Sequence, residues 1–110
     1  MIHETLGKIE SRIRKVSSLK EENKTELLGL LSTLRTEISE LSKTHSEQAE
    51  SITGFADVSA HEATRQERNP QLLELSLSGL SASVRGFETS HPRLVEIVNS
   101  ISLMLSNSGV

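Results

Sequence analysis

The sequence predicts an all-α protein, and three observations carry that prediction. Apolar residues recur at alternating spacings of four and three in every periodic stretch, as on an amphipathic helix. No stretch shows the single apolar-polar alternation of a half-buried strand. Two pairs, Asn69-Pro70 and His91-Pro92, punctuate the second half where helices start or stop.

The elements follow in order. Ile2, Leu6, Ile9, Ile13 and Val16 form the stripe of a first helix over about residues 2–16. The register is lost at Ser17-Ser18. Ser18 followed three residues on by Glu21 is a capping-box pattern and predicts a new helix start; the other candidate break is Asn23-Lys24-Thr25. Leu27, Leu31, Leu34, Ile38 and Leu41 then keep the four-three alternation. The same register runs through His45 and Gln48 to Ile52 and Phe55, as in coiled coils and bundles. It turns polar between Ser42 and Gln48. Ala56, Ala60 and Ala63 continue at helical spacing and would let another helix approach closely. The expected element is one long helix over about residues 19–68, roughly 70 Å at 1.5 Å per residue. Its expected weak point is Gly54, which costs about 1 kcal/mol against Ala in a helix.

Asn69 is a good N-cap and Pro70 suits the first helical position. A helix over about residues 70–89 follows, with the stripe Leu73, Leu77, Leu80, Val84 and Phe87 and an outer side of Ser76, Ser78, Ser81 and Ser83. Ser90-His91-Pro92 is a cap or kink motif. The last helix, about residues 92–106, carries Leu94, Val98, Ile101 and Leu105, with Asn107-Ser108-Gly109 as its C-terminal stop.

These elements suggest an antiparallel helical hairpin or bundle around one long central helix. The first helix would fold back on its N-terminal half and the last two on its C-terminal half. Such a chain is two helices thick and leaves Leu27, Leu31, Leu34, Ile38 and Leu41 half covered. A second copy would cover that seam and complete a four-helix layer, so these five residues are the expected interface of a homodimer. A break at Gly54 would instead let the halves hide the same stripe inside one chain.

Composition narrows the function classes. A chain of 110 residues is one domain's worth. With two Phe, no Trp and no Tyr, its core must come from Leu, Ile and Val. The absence of Cys excludes disulfides, zinc ribbons and thiol catalysis. A net charge of −3 argues against nucleic acid, whose phosphates attract clustered Lys and Arg. Met1-Ile2-His3-Glu4 does not open a signal peptide, and no run approaches the roughly 20 apolar residues of a membrane span. The cytoplasm is the expected compartment.

The stretch Phe87-Glu88-Thr89-Ser90-His91-Pro92-Arg93-Leu94, followed by Val98-Asn99-Ser100-Ile101 and Leu105-Ser106-Asn107-Ser108-Gly109-Val110, resembles a family of small bacterial helical proteins of unknown function. Their chains end in a Phe-Glu-x-Ser-His-Pro-x-Leu block and an amphipathic helix closing in Asn-x-Gly and an aliphatic residue. Ser108 departs from the pattern, where members often carry Met. The specific match covers about a quarter of the chain. The resemblance implies a bacterial, cytoplasmic helical protein and supplies no catalytic residues.

Candidate sites are few. Glu88 and His91 have the Glu-x-x-His spacing of di-iron bundles, which need two such motifs and two further Glu. One copy per chain would require a dimer, and the plainer reading makes Ser90, His91 and Pro92 a helix cap. His61-Glu62-Ala63-Thr64-Arg65 opens like a zinc-protease motif but has Arg65 where the second His must stand. His45 falls on the seam as a polar residue that sets register. Lys8, Arg12 and Lys15 form a basic face opposite Ile9, Ile13 and Val16, which suits an acidic partner, a membrane surface or plain solvation. No Ser lies in a nucleophile elbow, and Gly79 and Gly86 fall inside a helical pattern rather than a phosphate loop.

The expected protein is therefore non-enzymatic, without a cofactor, and works by pairing with itself or with another protein. The alternatives are a dimeric metal-binding bundle using Glu88 and His91, and a peripheral membrane adaptor using the basic first helix, though membrane binding is not the expectation. Circular dichroism should give a dominantly helical spectrum. Strand content above about a tenth of the residues, against the usual 20–25 %, would overturn the fold class.

Overall fold

Five α-helices make up the fold in the computed structural model, which describes residues 2–107. They are α1 (Ile2–Lys15), α2 (Glu21–Ser42), α3 (Ser46–Thr64), α4 (Pro70–Ser83) and α5 (Pro92–Asn107). No strand occurs among the described residues. The expected stop at Ser108-Gly109, and with it the end of the Asn-x-Gly-aliphatic pattern, lies outside them.

The long central helix is not formed. The chain breaks at residues 43–45, not at Gly54, and its longest dimension is 37 Å. The cause is local. The Ser42 hydroxyl donates to the Ser39 carbonyl at 2.8 Å and that of Thr44 to the Leu41 carbonyl at 3.4 Å. The Lys43 and Thr44 amides also reach the Glu40 and Leu41 carbonyls three residues back, at 3.2 and 3.1 Å, which tightens the last turn. These bonds serve carbonyls that a continuing helix would have used. No apolar residue between Ser42 and Gln48 offers burial in return for continuing. Gly54 sits exposed in the middle of α3, and a Cβ there would meet nothing within 4 Å.

The break shifts the buried register by one. Past it the core positions are Ala49, Ile52, Ala56, Ala60 and Ala63, while His45, Gln48 and Phe55 turn to solvent. Ser18 does not cap α2 either. The helix starts after Lys20, which makes no side-chain cap bond. Lys24 ties this junction instead, its ammonium donating to the Arg14 carbonyl at the end of α1 at 3.2 Å.

The pattern of helix contacts makes two layers. α1, α3 and α4 lie side by side with α3 in the middle, and α2 and α5 lie behind them. α3 touches all four other helices. Most of its buried residues are accordingly small: Ala49, Thr53, Ala56, Ser59, Ala60 and Ala63, beside the larger Ile52 and Glu62. The Ala stripe thus serves close helix approach on both flanks. Between the layers lie Leu6, Ile9 and Ile13 of α1, Leu73 and Leu80 of α4, and Leu94, Val98, Ile101 and Leu105 of α5.

The predicted interface residues Leu27, Leu31, Leu34, Ile38 and Leu41 are all buried inside the single chain. The sequence expectation left them half covered because it counted two helices of thickness. Folding α3 back at residues 43–45 adds a third neighbour, so α2 packs on α1, α3 and α5 together. The seam is the core of the monomer and is not an open surface. Arg35 fastens α1 across it: its Nη2 donates to Glu10 Oε1 at 2.8 Å and its Nη1 lies 3.0 Å from His3 Nδ1.

α4 is capped as the sequence suggests, with the Asn69 side chain accepting from the Gln71 and Leu72 amides at 3.1 and 3.2 Å. It ends at Ser83, six residues before the expected 89, because Gly86 takes φ +98° and reverses the chain. Of its serines, Ser76 is buried rather than outward, donating to the Leu72 carbonyl at 2.7 Å.

Two substitutions test this packing. Leu34→Ala should lower the unfolding free energy by roughly 2–5 kcal/mol, since the site is closed on all sides. Gly54→Ala should raise it by up to about 1 kcal/mol, as expected inside an unbroken helix with open space. Chemical denaturation of both variants reads these outcomes, and a destabilising Gly54→Ala would contradict the continuity of α3.

Candidate functional site

The structure disperses most of the sequence candidates. Glu88 and His91 do not share a helical face, because residues 84–91 form the turn between α4 and α5. The Glu88 carboxylate accepts from the Gly86 amide at 2.8 Å, which holds the turn closed. His91 Nδ1 lies 3.0 Å from Ser90 Oγ, and the His91 carbonyl accepts from the Val95 amide at 3.3 Å, so His91 opens α5 through its backbone. Among the described residues no three His, Cys, Asp or Glu side chains converge as a metal-binding group. His45 is not a seam residue. It stands at the α2–α3 turn, with its ring 5.4 Å from that of Phe87 and 6.3 Å from that of His91, both edge to face. The Phe87–His91 centroids are 5.6 Å apart. The three rings join the two turns at one end of the bundle.

Glu62 of the His61-Glu62 pair is buried in the α3 packing and takes Arg65 Nη1 at 2.9 Å. A buried carboxylate needs such a partner, so Arg65, out of place for a protease motif, has a structural role. The apolar side of α1, Leu6, Ile9 and Ile13, is buried in the bundle, which removes the surface by which an amphipathic helix enters a membrane. No helix among the described residues is long and apolar enough to cross one.

A surface that the sequence reading missed lies on α3 and α4. Phe55, Val58, Leu72 and Leu75 are 42, 47, 40 and 67 % exposed, four of the five large apolar side chains left open among the described residues; Leu103 on α5 is the fifth. Phe55 lies across Gly79, close enough that a Cβ on Gly79 would collide with its ring. α3 and α4 are a hairpin joined by residues 65–69, so counting back from that contact brings Val58 beside Leu75 and Ser76. The spacings 55, 58 on α3 and 72, 75, 79 on α4 put these residues along one groove. Leu72 and Leu75 fall off the Leu73–Leu80 stripe, and this was the available signal: two leucines in α4 that its core face does not use. Phe55 was hidden by the register shift at residues 43–45.

Comparison with protein-family models, with curated proteins and with solved structures finds no match to this chain. The groove must be read from its own residues.

The turn assignment has a direct test. Glu88→Ala should speed hydrogen exchange of the Gly86 amide, and a chelator should leave the melting temperature of the native chain unchanged. A sharp fall in melting temperature with chelator would instead assign Glu88 and His91 to a metal.

Proposed function

We propose that the chain is a non-enzymatic helical interaction protein that pairs with a second copy of itself through the α3–α4 groove. The observation that carries this reading is the row Phe55, Val58, Leu72 and Leu75, apolar and open to water on one face. Such contiguous apolar surface marks an interaction site on a small protein.

A second copy is the occupant that the charge pattern favours. α4 carries one charged residue, Glu74, and no cation. Asp57, the only charged residue of α3 between Glu50 and His61, stands 4.0 Å from Lys8 on the opposite flank. Glu62 and Arg65, where α3 meets the start of α4, neutralise each other, so the groove has little net charge with which to select an acidic or basic partner, and neutral apolar surface complements itself. α4 also ends the three-helix layer, with α3 on one side and nothing of the layer on the other. Two copies meeting across a twofold axis would set α3 and α4 against their equivalents as a four-helix packing. The resemblance of the Phe87–Leu94 block to bacterial helical proteins is in keeping with this, because it brings no catalytic residue.

Four partly exposed side chains form only the centre of an interface of the usual size, about 800 Å² per partner. Association is expected to be reversible and in the micromolar range. Light scattering should show a mass that rises from monomer to dimer across tens of micromolar, and Leu75→Glu should hold it at monomer. Leu75 is the most exposed of the four, so its replacement should leave folding within about 0.5 kcal/mol of native. A monomer at every concentration, or a Leu75→Glu variant that still dimerises, would overturn the reading.

A further inference from the structure

Lys8, Arg12 and Lys15 follow one another at spacings of four and three, a single row of cations along α1. The row borders a cleft of about 400 Å³ between α1 and the C-terminal end of α3, lined by Lys8, Ser11, Arg12, Lys15, Val16 and Thr64. The cleft is shallow and open to solvent, which suits a charged group held at the surface rather than an enclosed ligand. No carboxylate is among the lining residues.

Basic residues at the end of a helix often do no more than balance its dipole, so the charges must be weighed. The C-terminal ends of α1 and α3 each present about half a negative charge. Asp57, at 4.0 Å, partly neutralises Lys8. Glu62 is held by Arg65. The two helix ends and Asp57 together offset about two of the three cations. A surplus of about one positive charge remains, centred on Arg12 and Lys15.

Arg12 is the distinctive member. It is half-buried, and its Nη1 lies 3.4 Å from His61 Nδ1, with His61 Nε2 in turn 3.9 Å from Glu62. Its Nε is buried and has no acceptor among the described residues. A guanidinium fixed this way, with an ammonium on each side in the row and the Ser11 hydroxyl next to it, offers donors from several directions. A tetrahedral oxyanion accepts from several directions; a single carboxylate accepts in one plane.

We infer that the α1–α3 cleft is a binding site for a phosphate group, carried either by a small phosphomonoester or by a lipid headgroup. This site lies on the flank of α3 opposite α4, so it stands or falls independently of pairing through the α3–α4 groove.

The test is titration of the isotope-labelled full chain with inorganic phosphate and with glycerol 3-phosphate, followed by amide chemical shifts. Flotation with phosphatidylcholine vesicles, with and without phosphatidic acid, forms a second arm. Saturable shifts confined to residues 8–16 and the end of α3 are expected, weakening as salt is raised. Arg12→Gln should weaken binding about tenfold, the loss of one charge-assisted hydrogen bond. Lys15 is exposed, so Lys15→Gln keeps the test open if Arg12→Gln does not fold, and it should weaken binding several-fold by loss of one charge. Response to the soluble probes assigns the phosphate to a small molecule. Flotation with phosphatidic acid alone, lost in Lys15→Gln, assigns it to a headgroup. Shifts that do not saturate together with no flotation on phosphatidic acid, or equal binding by Lys15→Gln, would overturn the proposal.

Discussion

The fold depends on one steric constraint: α3 must fit between α1 and α4 while its back lies against α2 and α5. A helix with neighbours on two flanks and behind has room for few large side chains. The chain answers with Ala49, Ala56, Ser59, Ala60 and Ala63, and with Thr53 folded back on its own backbone at 2.8 Å from the Ala49 carbonyl. Interhelical distance is set by the side chains at the contact, so small residues bring the axes together. Large side chains on the outer helices then reach across the layer. Ile9, Ile13, Leu27, Leu31, Ile101 and Leu105 converge over Ala56 and Ala60, leaving an apolar void of only about 10 Å³. That is at the lower edge of what one water needs, and no polar group lines it to hold one.

The same constraint explains what could and could not be read from the sequence. The stripes of α1, α2 and α5 were legible because each is a one-sided helix carrying large apolar residues, and all of Leu6, Ile9, Ile13, Leu27 to Leu41, and Leu94 to Leu105 at stripe spacing are buried. α3 was not, because its buried surface is wider than one stripe and built from Ala, Ser and Thr, which carry little hydrophobic signal. Extending the four-three register from α2 therefore selected Gln48 and Phe55 and passed over Ala49, although the row Ala56, Ala60 and Ala63 was marked for close approach. The polar run from Ser42 to Gln48 was visible as a weakened seam. It is a chain reversal because no apolar residue there offers burial for continuing the helix, and Ser42 and Thr44 serve the last carbonyls with their hydroxyls; spacing alone does not reveal that choice.

The candidate surfaces were legible only as far as a single helix carried their pattern. The basic row on α1 was plain from spacing, but its setting beside the end of α3 came only with the fold. The apolar groove was invisible while Phe55 was assigned to the seam. Its four residues belong to two helices whose contact, Phe55 over Gly79, is an accommodation of one large ring by one missing Cβ. Glu88 and His91 show the opposite error. Their spacing looked chemical, yet Gly86 had already ended the helix on which that spacing would matter.

A core completed within one chain changes what association means for this protein. Had the Leu27–Leu41 seam been half covered, folding and pairing would have been one event and the dimer obligate. With the seam enclosed, the side chains left outside are as exposed in the folded chain as their neighbours allow, and the core does not need them buried. Phe55, Val58, Leu72 and Leu75 lie outside the buried core, so a partner docking on them as proposed would meet a preformed groove. Binding to such a surface loses little conformational entropy on this side of the interface. Its strength is then set by the partner's fit to the groove, while the stability of the chain is set by the alanine-lined packing of α3. These two properties reside on different residues, so each can be altered by substitution without the other.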